Sequence, residues 1–182
     1  MTDRPLLLLD VDGPLNPFRS HLSRLRGYTS HRMHPTAWMS RRSPDSRSAR
    51  RGLRVRLHPS HGARLLALPF EPAWATTWMH EANSLIAPRI GLPGDLPVIE
   101  WPELFARDPE GLSWKTRPLL DWAAGRPFAW VDDMITPRDR AWVEARHPAP
   151  ALLLRIDPRH GLRDRDFAAL NAWAAEVSST AR

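Results

Sequence analysis

The chain reads as an α/β protein, a three-layer arrangement around a mainly parallel sheet of five short strands. Two observations predict it. Short apolar runs alternate with segments of helical periodicity along the sequence. Such alternation implies parallel pairing, with the intervening helices packed on the sheet. The first run, Leu6-Leu7-Leu8-Leu9, is apolar throughout, as a buried strand is, and ends abruptly in Asp10-Val11-Asp12-Gly13.

The strands are expected at Leu6–Asp10, Pro72–Thr76, Pro97–Trp101, Pro127–Asp132 and Ala151–Ile156. Between them, Ser60 can cap a helix running through Leu68, and Met79–Ile86 follows the second strand. Thr116–Ala124 precedes the fourth strand and Arg138–His147 follows it. The last helix spans about Asp164–Val177 and carries Phe167, Leu170, Trp173, Ala174 and Val177 on one face. Ser178–Arg182 is expected to fray. The stretch from 14 to 59 is too long for a simple connection. It holds two short strand candidates, Gly27–His34 and Leu53–His58, around an Arg- and Ser-rich Ser40–Gly52. This pattern predicts a β-hairpin flap with a mobile basic tip.

A length of 182 residues supports one domain, residues 1–182, with the basic flap inserted at 17–57. There are no cysteines, which excludes disulfides, thiolate nucleophiles and cysteine zinc sites and fits a cytoplasmic protein. No stretch approaches the ~20 apolar residues of a membrane span. Of 26 basic residues only Lys115 is lysine. A lysine kept in an arginine-rich chain marks a place where a compact ammonium is needed. Residues 17–57 hold eleven arginines against Asp45 alone, a balance of +10, so the rest of the +6 chain carries −4. Such segregation suits a polyanionic partner, or a solvated loop.

The polar residues fall at the carboxyl ends of the strands, where parallel α/β sheets bind ligands. Asp10 and Asp12 close the first strand, Thr76 and Thr77 the second, Asp132 and Asp133 the fourth, and Lys115 opens the helix before the fourth. Carboxylates, an ammonium and a hydroxyl on one edge suit metal-assisted phosphoryl transfer, with Mg²⁺ as the usual cation for oxygen ligands. A calcium loop does not fit: glycine comes too early in DVDGP and the twelfth position is His21. Neither a G-x-x-x-x-G-K nor a G-x-S-x-G motif occurs. The pairs His31/His34 and His58/His61 have a spacing that suits zinc on a helix, whereas at least one pair reads as strand or turn.

The series LLLLDVDG, WATTW, WKTRPLLDW and FAWVDD resembles, in this order, the haloacid dehalogenase-like hydrolase superfamily. The wider stretches DVDGPLNP, RLHPSHGARLLAL, WATTWMHEAN, Lys115–Asp133 and LLLRIDPRHGL resemble the haloacid dehalogenase-type domain of the Swiss Army Knife RNA repair proteins. The resemblance implies a Rossmann-like three-layer sandwich and a phosphatase. Asp10 would be the nucleophile that forms an aspartyl-phosphate. Asp12 would be the general acid and base. Thr76, or Thr77 with a shifted register, would bind phosphoryl oxygens, and Lys115 would offset their charge. Mg²⁺ would sit on Asp10, the Asp12 carbonyl and Asp133, with Asp132 a ligand or a support. Backbone N–H groups around Gly13 would cradle the phosphate. The carboxylate at Asp12 separates phosphate chemistry from dehalogenation in this superfamily. Pro14 stands where the protein phosphatases of the D-x-D-x-T type need Thr.

Neither the insertion after the first strand nor the shorter one near residues 102–114 is large enough for the full cap domain that many members of the superfamily carry, so an open site is expected. An open site beside a basic flap suits the terminal phosphate of RNA or DNA, with Arg41 and Arg42 touching the backbone. Two other functions fit the same residues: a phosphatase of small metabolites or nucleotides, with the flap as lid, and a non-catalytic nucleic-acid-binding module.

Overall fold

In the computed structural model the described residues are 4–20, 27–40, 43 and 46–180. Four parallel strands form the main sheet: β1 (Leu6–Leu9), β4 (Glu71–Trp74), β5 (Phe128–Asp132) and β6 (Ala151–Arg155). Their spatial order is β4-β1-β5-β6. Taken in chain order the sheet reads 2-1-3-4, so strand order reverses between β1 and β5. That crevice is where ligands bind in open parallel sheets.

β1 divides its side chains between two cores, as the period of two requires. Leu7 and Leu9 join Ala129 and Val131 on one face; Leu6 and Leu8 join Phe128 and Trp130 on the other. The first face is covered by α3 (His61–Leu66), α4 (Ala87–Ile90) and α7 (Asp164–Thr180) through Leu65, Ile90, Phe167, Leu170 and Ala174. The second is covered by α5 (Thr116–Ala123) and α6 (Pro137–Arg146) through Leu119, Ala123 and Val143. The result is the expected layering of helices on both faces of a parallel sheet.

The fifth strand is a correction. Pro97–Trp101 contributes one parallel bridge, Trp74 to Val98, with Trp74 N–H donating to Pro97 O and Ile99 N–H to Trp74 O. Pro97 at its start and Pro102 just past its end supply no N–H, which leaves only a short stretch between them able to donate. The insertion also differs from a projecting flap. β2 (Thr29–Met33) and β3 (Leu53–Leu57) do pair antiparallel. However, Met33, Val55 and Leu57 are buried in the main core. The link between the strands is not uniformly irregular, since it contains α1 (Thr36–Met39) and α2 (Arg47–Arg51). Arg41 and Arg42 lie outside the described residues.

Two helix boundaries also moved. The helix expected at Met79–Ile86 starts later, as a π-helical turn over Ala82–Ile86, and continues through Pro88 in α4. The change of register puts Pro88 in a first turn, where its missing N–H costs nothing. The C-terminal helix runs to Thr180 rather than fraying at Ser178. Among the described residues no helix is long and apolar enough to cross a membrane.

Candidate active site at the β1/β5 crevice

The site is built from turns that leave the sheet. Asp10 directly follows β1, still held to the ladder by its N–H donating to Val131 O at 3.0 Å. Gly13 turns the chain with φ +95°, a left-handed conformation. A Cβ there would lie 2.6 Å from Asp133 Cβ, so only glycine lets this turn lie against the end of β5.

Lys115 is 1% exposed. Its ammonium forms an ion pair with Asp10 Oδ2 at 2.9 Å. It also donates to Asp132 Oδ2 at 2.7 Å and to Ala75 O at 3.0 Å. Three oxygens thus match three N–H donors. The rings of Trp101 and Trp114 flank the ammonium, with centroids 5.9 and 5.6 Å away. Burial opposes the charge on Lys115, but the two aspartates outweigh it and hold its pKa above the usual lysine range. The lysine is charged.

Asp139 holds the loop that delivers Lys115. It is wholly buried. One oxygen accepts from Ser113 N and Thr116 Oγ1, and the other from Thr136 N and Oγ1 in the capping box of α6. Sequence reasoning missed this residue. The available signal was Thr136-Pro137-Arg138-Asp139, a capping box opening a helix.

Ligand atoms of Asp10, Asp132 and Asp133 all lie within 4.8 Å of one another. One ammonium cannot balance three buried or half-buried carboxylates. Burial, opposed by Lys115 and reinforced by Asp132 and Asp12, raises the pKa of Asp10 to about 7. Burial and Asp132 raise that of Asp133 to about 6. A divalent cation on these oxygens would offset both shifts by adding positive charge, and three carboxylates within reach of one another fit a hard, oxygen-seeking metal. The three are not equivalent. Asp132 accepts Lys115 and Trp130 Nε1 on Oδ2 and Met134 N on Oδ1, so both its oxygens are engaged. Asp133 accepts no hydrogen bond from another residue among the described residues and is the better placed donor.

Asp12 does not join that group. Its Oδ1 accepts from Asn16 Nδ2 at 2.8 Å and its Oδ2 from Trp78 Nε1 at 2.9 Å. β1 ends at Leu9, so the two carboxylates leave a turn rather than share a strand face. Burial raises the pKa of Asp12, against these two donors and Lys115. Asn16 and Trp78 were not singled out as site residues from the sequence. Asn16 also accepts Arg56 N–H on its Oδ1, tying the turn to β3.

Thr76 and Thr77 lie beyond the end of β4 rather than in it. Thr76 is fully buried; its hydroxyl accepts from Trp78 N at 3.3 Å and its carbonyl from Trp101 Nε1 at 3.0 Å. Thr77 is half-buried. The histidine pair His58 and His61 stacks face to face at 4.7 Å rather than converging on an ion. Compared with protein-family models, with curated proteins and with solved structures, the chain gives no match.

Proposed function

We propose that this protein is a Mg²⁺-dependent phosphomonoester hydrolase of the haloacid dehalogenase-like kind, working through an aspartyl-phosphate. The observation that carries the proposal is the buried Lys115 ammonium, paired with Asp10 beside Asp132 and Asp133 at the crevice where strand order reverses. An ammonium fixed against a carboxylate suits a site where negative charge gathers during reaction.

In the proposed chemistry an Asp10 oxygen attacks phosphorus as the bond to the leaving oxygen breaks. Asp12 gives that oxygen a proton. Asp12 then takes a proton from water as the water oxygen attacks phosphorus and the bond to Asp10 breaks, releasing phosphate. Lys115 keeps Asp10 ionised and oriented, and Asp132 holds Lys115. Asp10 and Asp133 would hold Mg²⁺, which when bound neutralises phosphoryl charge. Asp132 then acts as a support for Lys115 more than as a ligand.

The substrate class favoured by the charge distribution is the phosphorylated end of a nucleic acid. The +10 segment at 17–57 supports it, and its β2–β3 pair is tied to the Asp12 turn through Asn16 and Arg56. The test is turnover of p-nitrophenyl phosphate and of 3′- and 5′-phosphorylated oligonucleotides, with Mg²⁺ and with EDTA. Turnover is expected only with metal and is lost in Asp10→Asn. Metal-independent turnover, or full activity in Asp10→Asn, would overturn the proposal.

A further inference from the structure

A cavity of about 520 Å³ is lined by Arg19, Arg155, Arg159 and Arg165 with Asp157 and Pro158. Four guanidinium groups against one carboxylate leave a balance of +3. Most of these residues come from the C-terminal part of the chain, outside the basic insertion that drew attention in the sequence.

The cavity adjoins the carboxylate cluster. Arg155 ends β6 in register with Asp132, and its Nε donates to Asp133 O at 3.1 Å. The cavity's walls are the loop after β1, the end of β6 with the loop that follows it, and the first turn of α7, and backbone hydrogen bonds join the two loops. Arg19 N–H donates to Pro158 O at 3.1 Å and Leu162 N–H to Pro14 O at 2.9 Å. Gly161, at φ +69°, lets the second loop lie on the first; a Cβ there would meet Pro14 O at 2.9 Å. Asp157 pre-orders one arginine, accepting Arg159 Nε on both oxygens at 3.1 Å and Nη2 at 2.8 Å. Arg155 keeps both Nη groups without a partner among the described residues, and Arg165 comes no nearer than 3.7 Å to Asp166. Arg155 is thus ordered with donors unspent, Arg159 is ordered by Asp157, and Arg165 adds an exposed guanidinium, a set of donors that phosphate oxygens recognise.

We propose that this cavity is a second phosphate subsite of the same active site. It takes a phosphate carried by the substrate in addition to the one at Asp10. This rests on the hydrolase proposal for its partner site, but not for its own binding chemistry. The shared ligand chemistry is a phosphate mono- or diester, from either a small bisphosphate or an oligonucleotide.

The experiment uses the full chain and an Arg159→Ala/Arg165→Ala variant, whose altered side chains are 66% and 73% exposed and whose folding should be intact by circular dichroism. The probes are p-nitrophenyl phosphate, a nucleoside 3′,5′-bisphosphate and a 5′-phosphorylated trinucleotide. The variant is expected to raise KM for the trinucleotide about tenfold at unchanged kcat, to leave p-nitrophenyl phosphate untouched, and to lower the salt dependence of KM. A matching rise for the bisphosphate assigns the subsite to a small ligand's second phosphate; a rise for the trinucleotide alone assigns it to a phosphodiester. Unchanged KM for both, or an equal loss on all three substrates, overturns the subsite. Fluorescence anisotropy with the labelled trinucleotide decides the matter if no substrate turns over. A tenfold loss of binding in the variant then supports the subsite while the hydrolase proposal fails, and equal binding overturns both.

Discussion

Lys115 is the counter-charge buried against the carboxylate cluster, and replacing it with methionine isolates that charge at nearly constant volume. In the native protein its ammonium lies 2.9 Å from Asp10 and 2.7 Å from Asp132. At an effective dielectric of about 20, each contact is worth about 6 kcal/mol of gross attraction. Desolvation of three buried ions takes back most of it, but Lys115→Met removes only the cation and leaves two carboxylates facing each other in the crevice. Removing one partner of a buried pair costs about 3–5 kcal/mol, and that is the expected loss of unfolding free energy. Tryptophan fluorescence during urea unfolding in EDTA measures it, since several of the nine tryptophans are buried. Lys115→Met/Asp132→Asn should destabilise by about 2 kcal/mol less than the sum of the single changes, because it removes the orphaned charge. Lys115→Arg should not rescue the site: a planar guanidinium cannot place three donors on Asp10, Asp132 and Ala75 O in the space of an ammonium. A loss below about 1 kcal/mol for Lys115→Met, or strict additivity in the cycle, would refute the assignment of Lys115 as the cluster's counter-charge.

If the proposed Mg²⁺ binds with a dissociation constant of about 1 mM, about 10 mM of it should add about 1.4 kcal/mol, a rise of about 3–5 °C in Tm. Asp133→Asn should abolish that rise, and Gly13→Ala should both abolish it and cost about 1–3 kcal/mol through its positive φ and its clash with Asp133; an undiminished rise in either variant counts against Asp133 as ligand. His61 is buried, and desolvation, then His58 and Arg64, lowers its pKa from 6.5 to about 3. The unfolded chain binds a proton that the folded one refuses, so this stability is whole above about pH 6.5 and falls as pH drops, by about 2 kcal/mol at pH 5. Urea unfolding at pH 7.5 and 5 should show that slope reduced in His61→Phe, and an unchanged slope would rule His61 out as its source. Asp139→Asn can accept on only one of the two oxygens that bind Ser113, Thr116 and Thr136. It should cost about 2–3 kcal/mol and lower kcat of the proposed hydrolysis, whereas wild-type stability would show the clamp to be dispensable.

What could be seen from the sequence is what local pattern encodes. Leu6–Leu9, Phe128–Asp132 and Ala151–Arg155 were visible because an unbroken apolar run cannot stay exposed. Their parallel pairing followed from the helices between them, and with it the meeting of Asp10, Asp132 and Asp133 at one edge. Lys115 stood out through composition alone. The edge strand at Pro97 was overread because apolar residues suggested a ladder that the prolines cannot complete. The docking of β2–β3 was invisible because Arg54 and Arg56 alternate with Val55 and Leu57, and charge masks a buried face of only a few residues. Trp78 acts on Asp12 across 66 positions and Asp139 on Ser113 across 26, pairs that the fold brings alongside. Asn16 lies only four positions from Asp12, but its role in tying that turn to Arg56 spans 40.

The two carboxylates of Asp10-Val11-Asp12 end up in different mechanical settings. Asp10 is anchored to the sheet through Val131 O, to its own turn through Val11 N–H at 2.7 Å, and to Lys115. Asp12 is anchored to Trp78, after β4, and to Asn16, whose other end grips Arg56 in β3. A shift of β2–β3 therefore reaches Asp12 through one side chain, while Asp10 stays fixed by the rigid core. In the proposed chemistry the nucleophile needs a constant position and the proton carrier needs to serve a leaving group and then a water. The architecture separates those demands. The arginine-lined wall is joined to the same turn through Pro14 and Arg19, so a polyanion gripping that wall bears on the turn that carries Asp12.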